Sequence, residues 1–184
     1  STAGGNTGGG PTALKRVAGG RVSSSASTDR EPIAADPTTS NYVYAVGIRF
    51  VTPAGTSKAS FPGFLNSRAY RQPVWFARTT NGGASWEPAH KIFDQSTYSG
   101  TLGNQIVVLP NGDLVDIFLQ FMLKNAQGQR GENIAVIRST DKGATWSRKS
   151  IIVGQSLEIG AFDPDTGRPI RAEGGIPDIA VDRN

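Results

Sequence analysis

Three segments of the chain open alike: Ile33-Ala34-Ala35-Asp36-Pro37, Ile106-Val107-Val108-Leu109-Pro110 and Ile179-Ala180-Val181-Asp182. Their first residues, 33, 106 and 179, are separated by 73 residues each time. Between them a second pattern recurs, first as Ala77-Arg78-Thr79-Thr80-Asn81-Gly82-Gly83-Ala84-Ser85-Trp86. It returns as Val136-Ile137-Arg138-Ser139-Thr140-Asp141-Lys142-Gly143-Ala144-Thr145-Trp146. A fixed period of this kind marks one supersecondary unit that cannot bury its apolar face alone and must stack on its neighbours. Each unit reads as strand, short turn, strand, longer loop, strand, tight turn, strand. Four antiparallel strands per repeat is the unit of a β-propeller blade.

The strands follow from short β-branched and aromatic runs bounded by Gly, Pro, Asn and Asp. In Tyr42–Val51, Val43, Ala45, Gly47 and Arg49 alternate with Tyr44, Val46, Ile48 and Phe50, the period of a strand with two different faces. Pro73–Thr79, Asn104–Leu109, Asp113–Phe121, Asn133–Ser139 and Thr145–Val153 are further candidates. Pro110-Asn111-Gly112-Asp113 predicts a tight hairpin, because Asn-Gly accepts positive φ. No window carries an amphipathic helical pattern, so the chain reads as all-β.

Composition removes several kinds of chemistry. There is no Cys, hence no disulfide, thiolate metal site or Cys nucleophile, and the single His90 excludes a multi-histidine site within the chain. No cofactor is expected. No apolar run approaches the roughly 18–20 residues of a spanning helix, so no membrane span is expected. The net charge of +4 is concentrated in residues 1–30, where Lys15, Arg16, Arg21 and Arg30 face only Asp29. A dilute basic tail is not the dense patch that nucleic acid requires, and no nucleic-acid partner is expected. Residues 1–29 read as a flexible Gly/Ser-rich lead-in, with no hydrophobic signal core and no initiator Met, which suggests a processed or cut start. The expected divisions are then a first blade over 30–103, a second over 104–176, and the first strand of a third over 177–184. Asp163-Pro164-Asp165-Thr166-Gly167 places carboxylates at a spacing a hard cation could use, but the pattern of a calcium loop is not completed and an Asp-Pro turn is the plainer reading. No metal site is assigned.

The duplicated turn fits S/T-x-D-x-G-x-T/S-W, filled by Thr79, Asn81, Gly83, Ser85 and Trp86 and again by Ser139, Asp141, Gly143, Thr145 and Trp146. An Asp or Asn can accept turn amides, Gly supplies a conformation other residues resist, and Trp offers a large surface to bury. This is the Asp-box, or BNR repeat, and residues 30–184 resemble the sialidase (neuraminidase) superfamily. The stretches GNQIVVLPNGDLV, IAVIRSTDKGATWS and GGIPDIAVD are similar to secreted bacterial BNR proteins of that kind. The resemblance implies a propeller, six-bladed when complete, of which this chain holds about two and a bit blades. It implies a secreted or extracellular location, the periplasm included, and a rim position for the Asp-box, away from the pocket.

Sialidase-like hydrolysis uses an arginine cluster to grip the substrate carboxylate, a Tyr activated by a Glu, and an Asp as acid/base. Arg30-Glu31-Pro32-Ile33 matches the family's R-x-P pattern on the innermost first strand, so the resemblance implies that Arg30 binds substrate; a linker arginine is the alternative. Arg68, Arg71 and Arg130 are weaker candidates for the same task. The acid/base Asp belongs in the first-blade loop, yet Pro37–Trp86 contains no Asp or Glu. No residue is assigned as catalyst. Tyr70 and Tyr98 have no motif to promote them, and Glu132 and Arg171 read as loop charges. The expectation is a segment of an exo-α-sialidase-like glycosidase recognising terminal sialic acid or a related acidic sugar. The alternative is a non-catalytic BNR module for glycan binding, adhesion or protein assembly. Two blades leave open faces, so the rest of the ring is an expected partner, as missing blades, another fragment or symmetry-related chains.

Overall fold

A computed structural model describes residues 26–29, 32–51, 71–95, 99–122, 131–155, 163–168 and 176–182. Among these the chain is all-β, with no helix. The strands are β1 (Ala26–Asp29), β2 (Ile33–Ala35), β3 (Val43–Val51), β4 (Arg71–Gln72), β5 (Val74–Thr79), β6 (His90–Phe93), β7 (Ser99–Val108), β8 (Leu114–Met122), β9 (Gly131–Ser139) and β10 (Ile151–Gln155). They form two antiparallel meanders, β2-β3-β5-β6 and β7-β8-β9-β10. The short β4 joins them, with Arg71 opposite Val51 of β3 and Arg71–Gln72 parallel to Ser99–Gly100 of β7.

The two meanders share one hydrogen-bonding register. In the first, Ile33 faces Ala45, Ala45 faces Ala77, and Phe76 faces His90. At the corresponding places of the second, Ile106 faces Asp116, Asp116 faces Ile137, and Val136 faces Ile151. The irregularity is repeated as well: β6 shifts register around Ile92 and β10 around Val153. β1, paired through Ala26–Asp29 with Ile48–Val51, corresponds to the first half of β7, where Ser99–Leu102 pair with Leu119–Met122. The inner strand is thus interrupted between β1 and β2 in one meander and bulged between Leu102 and Gln105 in the other.

The meanders stack face against face. Tyr44, Val46, Val74 and Phe76 of the first form one core with Ile106, Val108, Leu114, Phe118, Ala135 and Ile137 of the second. Because alternate residues point to opposite faces, Ala45 and Ala77 lie on the other side, covered by Trp86 and Ala89. Burial of each large apolar side chain contributes about 1.5–3 kcal/mol. Among the described residues the shared core therefore supplies most of the apolar stabilisation, and neither meander has a comparable core of its own. Sheet-on-sheet packing of unlike faces is what the repeat requires.

Several sequence boundaries move. Asn104–Leu109 is only the second half of a strand that begins at Ser99, so the expected division between 103 and 104 cuts through β7. Residues 145–150 of the expected strand Thr145–Val153 belong to the turn, and β10 runs Ile151–Gln155. β6 was not named from sequence, since four residues are too few to display a period. Ala26–Asp29, read as the end of a flexible lead-in, is a strand: ladder bonds engage the backbone and need no side-chain pattern. Conversely, the expected first strand at 177–184 forms no ladder with the described residues over its described part, 177–182. The Asn-Gly turn is as expected: Leu109 N donates to Asp113 O at 2.8 Å and Gly112 N to Leu109 O at 2.8 Å.

Candidate functional site

The strand register separates two ends of the molecule. Val43 pairs with Thr79 where the first Asp-box begins, and Val51 pairs with Arg71 at the other end of the same nine-residue strand. At about 3.4 Å per residue these ends are roughly 27 Å apart. Val51, Arg71, Ser99, Met122 and Gly131 gather at the second end. Arg30, Arg68 and Arg130 lie outside the described residues, as do Tyr70, Tyr98 and Arg171.

Arg71 is the sequence-chosen arginine that can be placed. Its guanidinium lies 3.5 Å from Asp94, whose carboxylate also accepts from the Lys91 ammonium at 2.7 Å. An acidic ligand would have to share or displace Asp94 to use this cation. Glu132, expected as a loop charge, sits within β9 opposite Phe121 and is half-buried. Between the two ends, the stacked faces enclose a polar column: Ser99, Thr101, Asn104, Asp116 and Gln120 are all buried. Asn104 donates to Asp116 Oδ2 at 2.9 Å, and Ser150 donates to Gln120 Oε1 at 2.6 Å. Asp116 is fully buried, and desolvation pushes its pKa well above the usual carboxylate range despite the bonds from Asn104 and the Gln105 backbone. Its second oxygen and the Asn104 carbonyl oxygen have no hydrogen-bond partner among the described residues. Sequence reading missed this acid because an Asp in an alternating strand is normally assigned to the solvent face.

The Asp-box end is held by repeated chemistry. Thr79 Oγ1 donates to Asn81 Oδ1 at 2.8 Å and accepts from Gly83 N at 3.0 Å, while Ser85 N donates to Asn81 Oδ1 at 2.9 Å. In the second copy Ser139 Oγ donates to Asp141 Oδ1 at 2.8 Å and accepts from Gly143 N at 2.8 Å, while Thr145 N donates to Asp141 Oδ1 at 2.8 Å. The copies differ at one bond. Asn81 Nδ2 donates to Ser85 Oγ at 2.7 Å, whereas Asp141 Oδ2 accepts from Thr145 Oγ1 at 2.6 Å. That bond, with the Thr145 amide and Ser139, holds the Asp141 carboxyl below its ordinary pKa.

The second turn also locks the meanders together. Lys142, at φ 58°, donates from Nζ to Asp36 Oδ2 at 2.8 Å, and its carbonyl accepts from Arg78 at 2.8 Å. Asp36 is buried and accepts further bonds from Tyr44 Oη (2.6 Å), Thr38 N (2.8 Å), Thr38 Oγ1 (2.7 Å) and Thr39 N (3.1 Å). Desolvation alone would raise its pKa; Lys142, Tyr44 and Thr38 outweigh that and lower it to about 2. The same burial and the Asp36 charge push the Tyr44 hydroxyl upward, so it remains a donor. The sequence flagged Asp36 and the Lys142 turn separately, and nothing in it linked residues 106 positions apart. Asp163 makes the ordinary turn, its Oδ1 accepting from Asp165 N at 2.8 Å and Thr166 N at 3.2 Å.

Among the described residues no helix is long and apolar enough to cross a membrane. No protein-family model matches the chain, and no curated protein matches it.

Proposed function

We propose that this chain forms successive blades of a sialidase-type β-propeller, six-bladed when complete, that recognises terminal sialic acid or a related acidic sugar. The observation that carries the reading is the duplication: two four-stranded meanders of one register stack face to face, each closed by an Asp-box with the same internal bonds. Arg71 lies at the end of the strands remote from those turns. In this reading Arg68, Arg130 and Arg30, which lie outside the described residues, would complete a cationic grip on the sugar carboxylate.

One observation favours the non-catalytic form of this reading. No carboxylate occurs between Pro37 and Trp86, where hydrolysis would need its acid/base. The buried Asp116 does not replace it: it pairs with Ile106, well down the strand from Ser99, and is closed off from solvent. The chain then serves glycan binding, adhesion or assembly without turnover. Saturation-transfer NMR with sialyllactose, against lactose as the neutral control, tests the reading. Selective binding of the sialylated sugar, weakened about tenfold by Arg30→Ala, is expected, consistent with loss of one charge-assisted contact. Equal signals from both sugars, or none, would overturn it. Turnover of a fluorogenic sialoside that Arg30→Ala abolishes would replace the binding module by the enzyme.

A further inference from the structure

The inner strand of the second meander bulges where it passes Asp116. Leu102 pairs with Leu119 and Gln105 with Ile117, so Gly103 and Asn104 together stand opposite Phe118 alone. The Asn104 side chain supplies the cross-strand link the ladder lacks there, donating from Nδ2 to Asp116 Oδ2 at 2.9 Å. Both groups are sealed from solvent, Asn104 at 2% and Asp116 at 0% exposure. Yet Asn104 Oδ1 and Asp116 Oδ1, the remaining oxygen on each side of that bond, have no hydrogen-bond partner among the described residues. A carboxylate only accepts, so an ionised Asp116 can satisfy neither atom. A carboxylic acid carries one O–H, and on Oδ1 that hydroxyl would serve both oxygens at once.

The surroundings offer no cation in place of the proton. Asp116 pairs with Ile106 of β7 and Ile137 of β9, on the face that β8 turns to the first meander. From β3 that face meets Tyr44, whose hydroxyl is given to Asp36. From β5 comes Arg78, held by Glu87 and the Lys142 carbonyl, and Lys142 itself is spent on Asp36. From β6 come Phe93 and the exposed His90, which lies edge-on to Phe76. A carboxyl buried without a positive partner takes up a proton instead of keeping its charge.

We propose that Asp116 is held as the neutral acid, donating from Oδ1 to Asn104 Oδ1, and that this acid–amide pair fixes the bulge on which Ile176 and Pro177 rest. The residues on either side of Asn104 form that seat. A Cβ on Gly103 would lie 2.2 Å from Ile176 Cγ2, so only glycine admits the contact, and Gln105 Nε2 donates to Pro177 O at 3.4 Å. When pH rises far enough to ionise Asp116, a bare carboxylate oxygen is left against the amide oxygen, the pair opens, and the seat loosens. The second meander thereby couples one buried proton to its hold on the segment beginning at Ile176.

The test uses the whole chain and no glycan, so it stands apart from sugar recognition. Infrared spectroscopy of protein isotope-labelled at the aspartate carboxyl carbons should show a protonated-carboxyl C=O band at pH 7. The band should be absent from Asp116→Asn and should give way to carboxylate bands as pH rises. Carboxylate bands alone at pH 7, the result if a buried water serves the two oxygens, would overturn the proposal. Methyl NMR reads the second half: the Ile176 resonances should shift with the same pH midpoint in the wild type. They should stay in place in Asp116→Asn, whose Nδ2 can make the same bond to Asn104 Oδ1. An Ile176 signal that ignores the titration, or follows it equally in the variant, would overturn the coupling, as would a band that persists until the chain unfolds in alkali.

Discussion

The two Asp-box turns are chemically almost the same and are used differently. In the first, Asn81, Gly82, Gly83 and Ser85 are exposed, and a Cβ on Gly83 would meet nothing within 4 Å among the described residues. In the second, Gly143 is buried against Phe76, Trp146 meets the same ring edge-on at 5.3 Å, and Lys142 reaches Asp36. Local bonding therefore builds the turn, and the neighbouring meander decides whether it becomes an anchor. A motif that closes its own hairpin with side-chain bonds is free to present its tip to whatever lies alongside.

The sharpest way to break the comparison is to add one methyl group at each tip. Gly83 and Gly143 both have positive φ, 92° and 84°, so Ala is strained at either by about 1–2 kcal/mol. At Gly143 the new Cβ also strikes Phe76, which adds about 1–3 kcal/mol of overpacking. Urea unfolding should show Gly143→Ala losing clearly more stability than Gly83→Ala. Equal losses would mean that the second turn does not bear on the first meander as described.

The latch comes next. Asp36 has its folded pKa lowered from 3.8 to about 2. Its stabilising effect is thus present above pH 4 and is lost as pH falls from 4 toward 2. At 1.36 kcal/mol per pKa unit the linkage is worth about 2 kcal/mol. Asp36→Asn should be less stable than wild type by about that amount at pH 7 and should show a shallower acid limb between pH 4 and 2. An unchanged acid limb would remove Lys142 and Tyr44 as its causes.

Asp116 offers the opposite sign. In the first meander the equivalent residue is Ala45, which costs nothing to bury; in the second it is a carboxyl with a raised pKa. A raised folded pKa means that this group's contribution is full below the unfolded value near 4 and declines as pH rises. Asp116→Asn should therefore gain about 1 kcal/mol at pH 7, because an amide carries no carboxyl whose ionisation burial opposes. It should also flatten the stability profile above pH 4. A loss at pH 7 would show the carboxylate to be better satisfied than its neighbours indicate.

The smallest effect is expected from exchanging the turn acids. Asn81→Asp and Asp141→Asn should each change stability by less than about 1 kcal/mol. The Ser85 or Thr145 hydroxyl can rotate between accepting from an amide and donating to a carboxylate. Thermal unfolding of both single variants suffices, and a large loss in either would mean that charge, rather than turn geometry, selects Asp or Asn there.

The sequence by itself determined what depends on residues close in the chain. Alternation in Tyr42–Phe50 announced a two-faced strand, Asn111-Gly112 its hairpin, and the Thr79–Trp86 and Ser139–Trp146 spacings two turns closed by bonds over two to four residues. Such bonds form from a local segment, so they leave a local signature. Only the tertiary structure decided that β7 begins at Ser99, that Ala26–Asp29 pairs with β3, and that Arg71 faces Asp94. Ladder bonds use backbone groups common to every residue, and an ion pair requires only that two chain segments arrive together. For the same reason Asp36 and Lys142, and the burial of Asp116, were invisible until the two meanders stacked: what a side chain faces is set by the neighbouring sheet, not by its own strand.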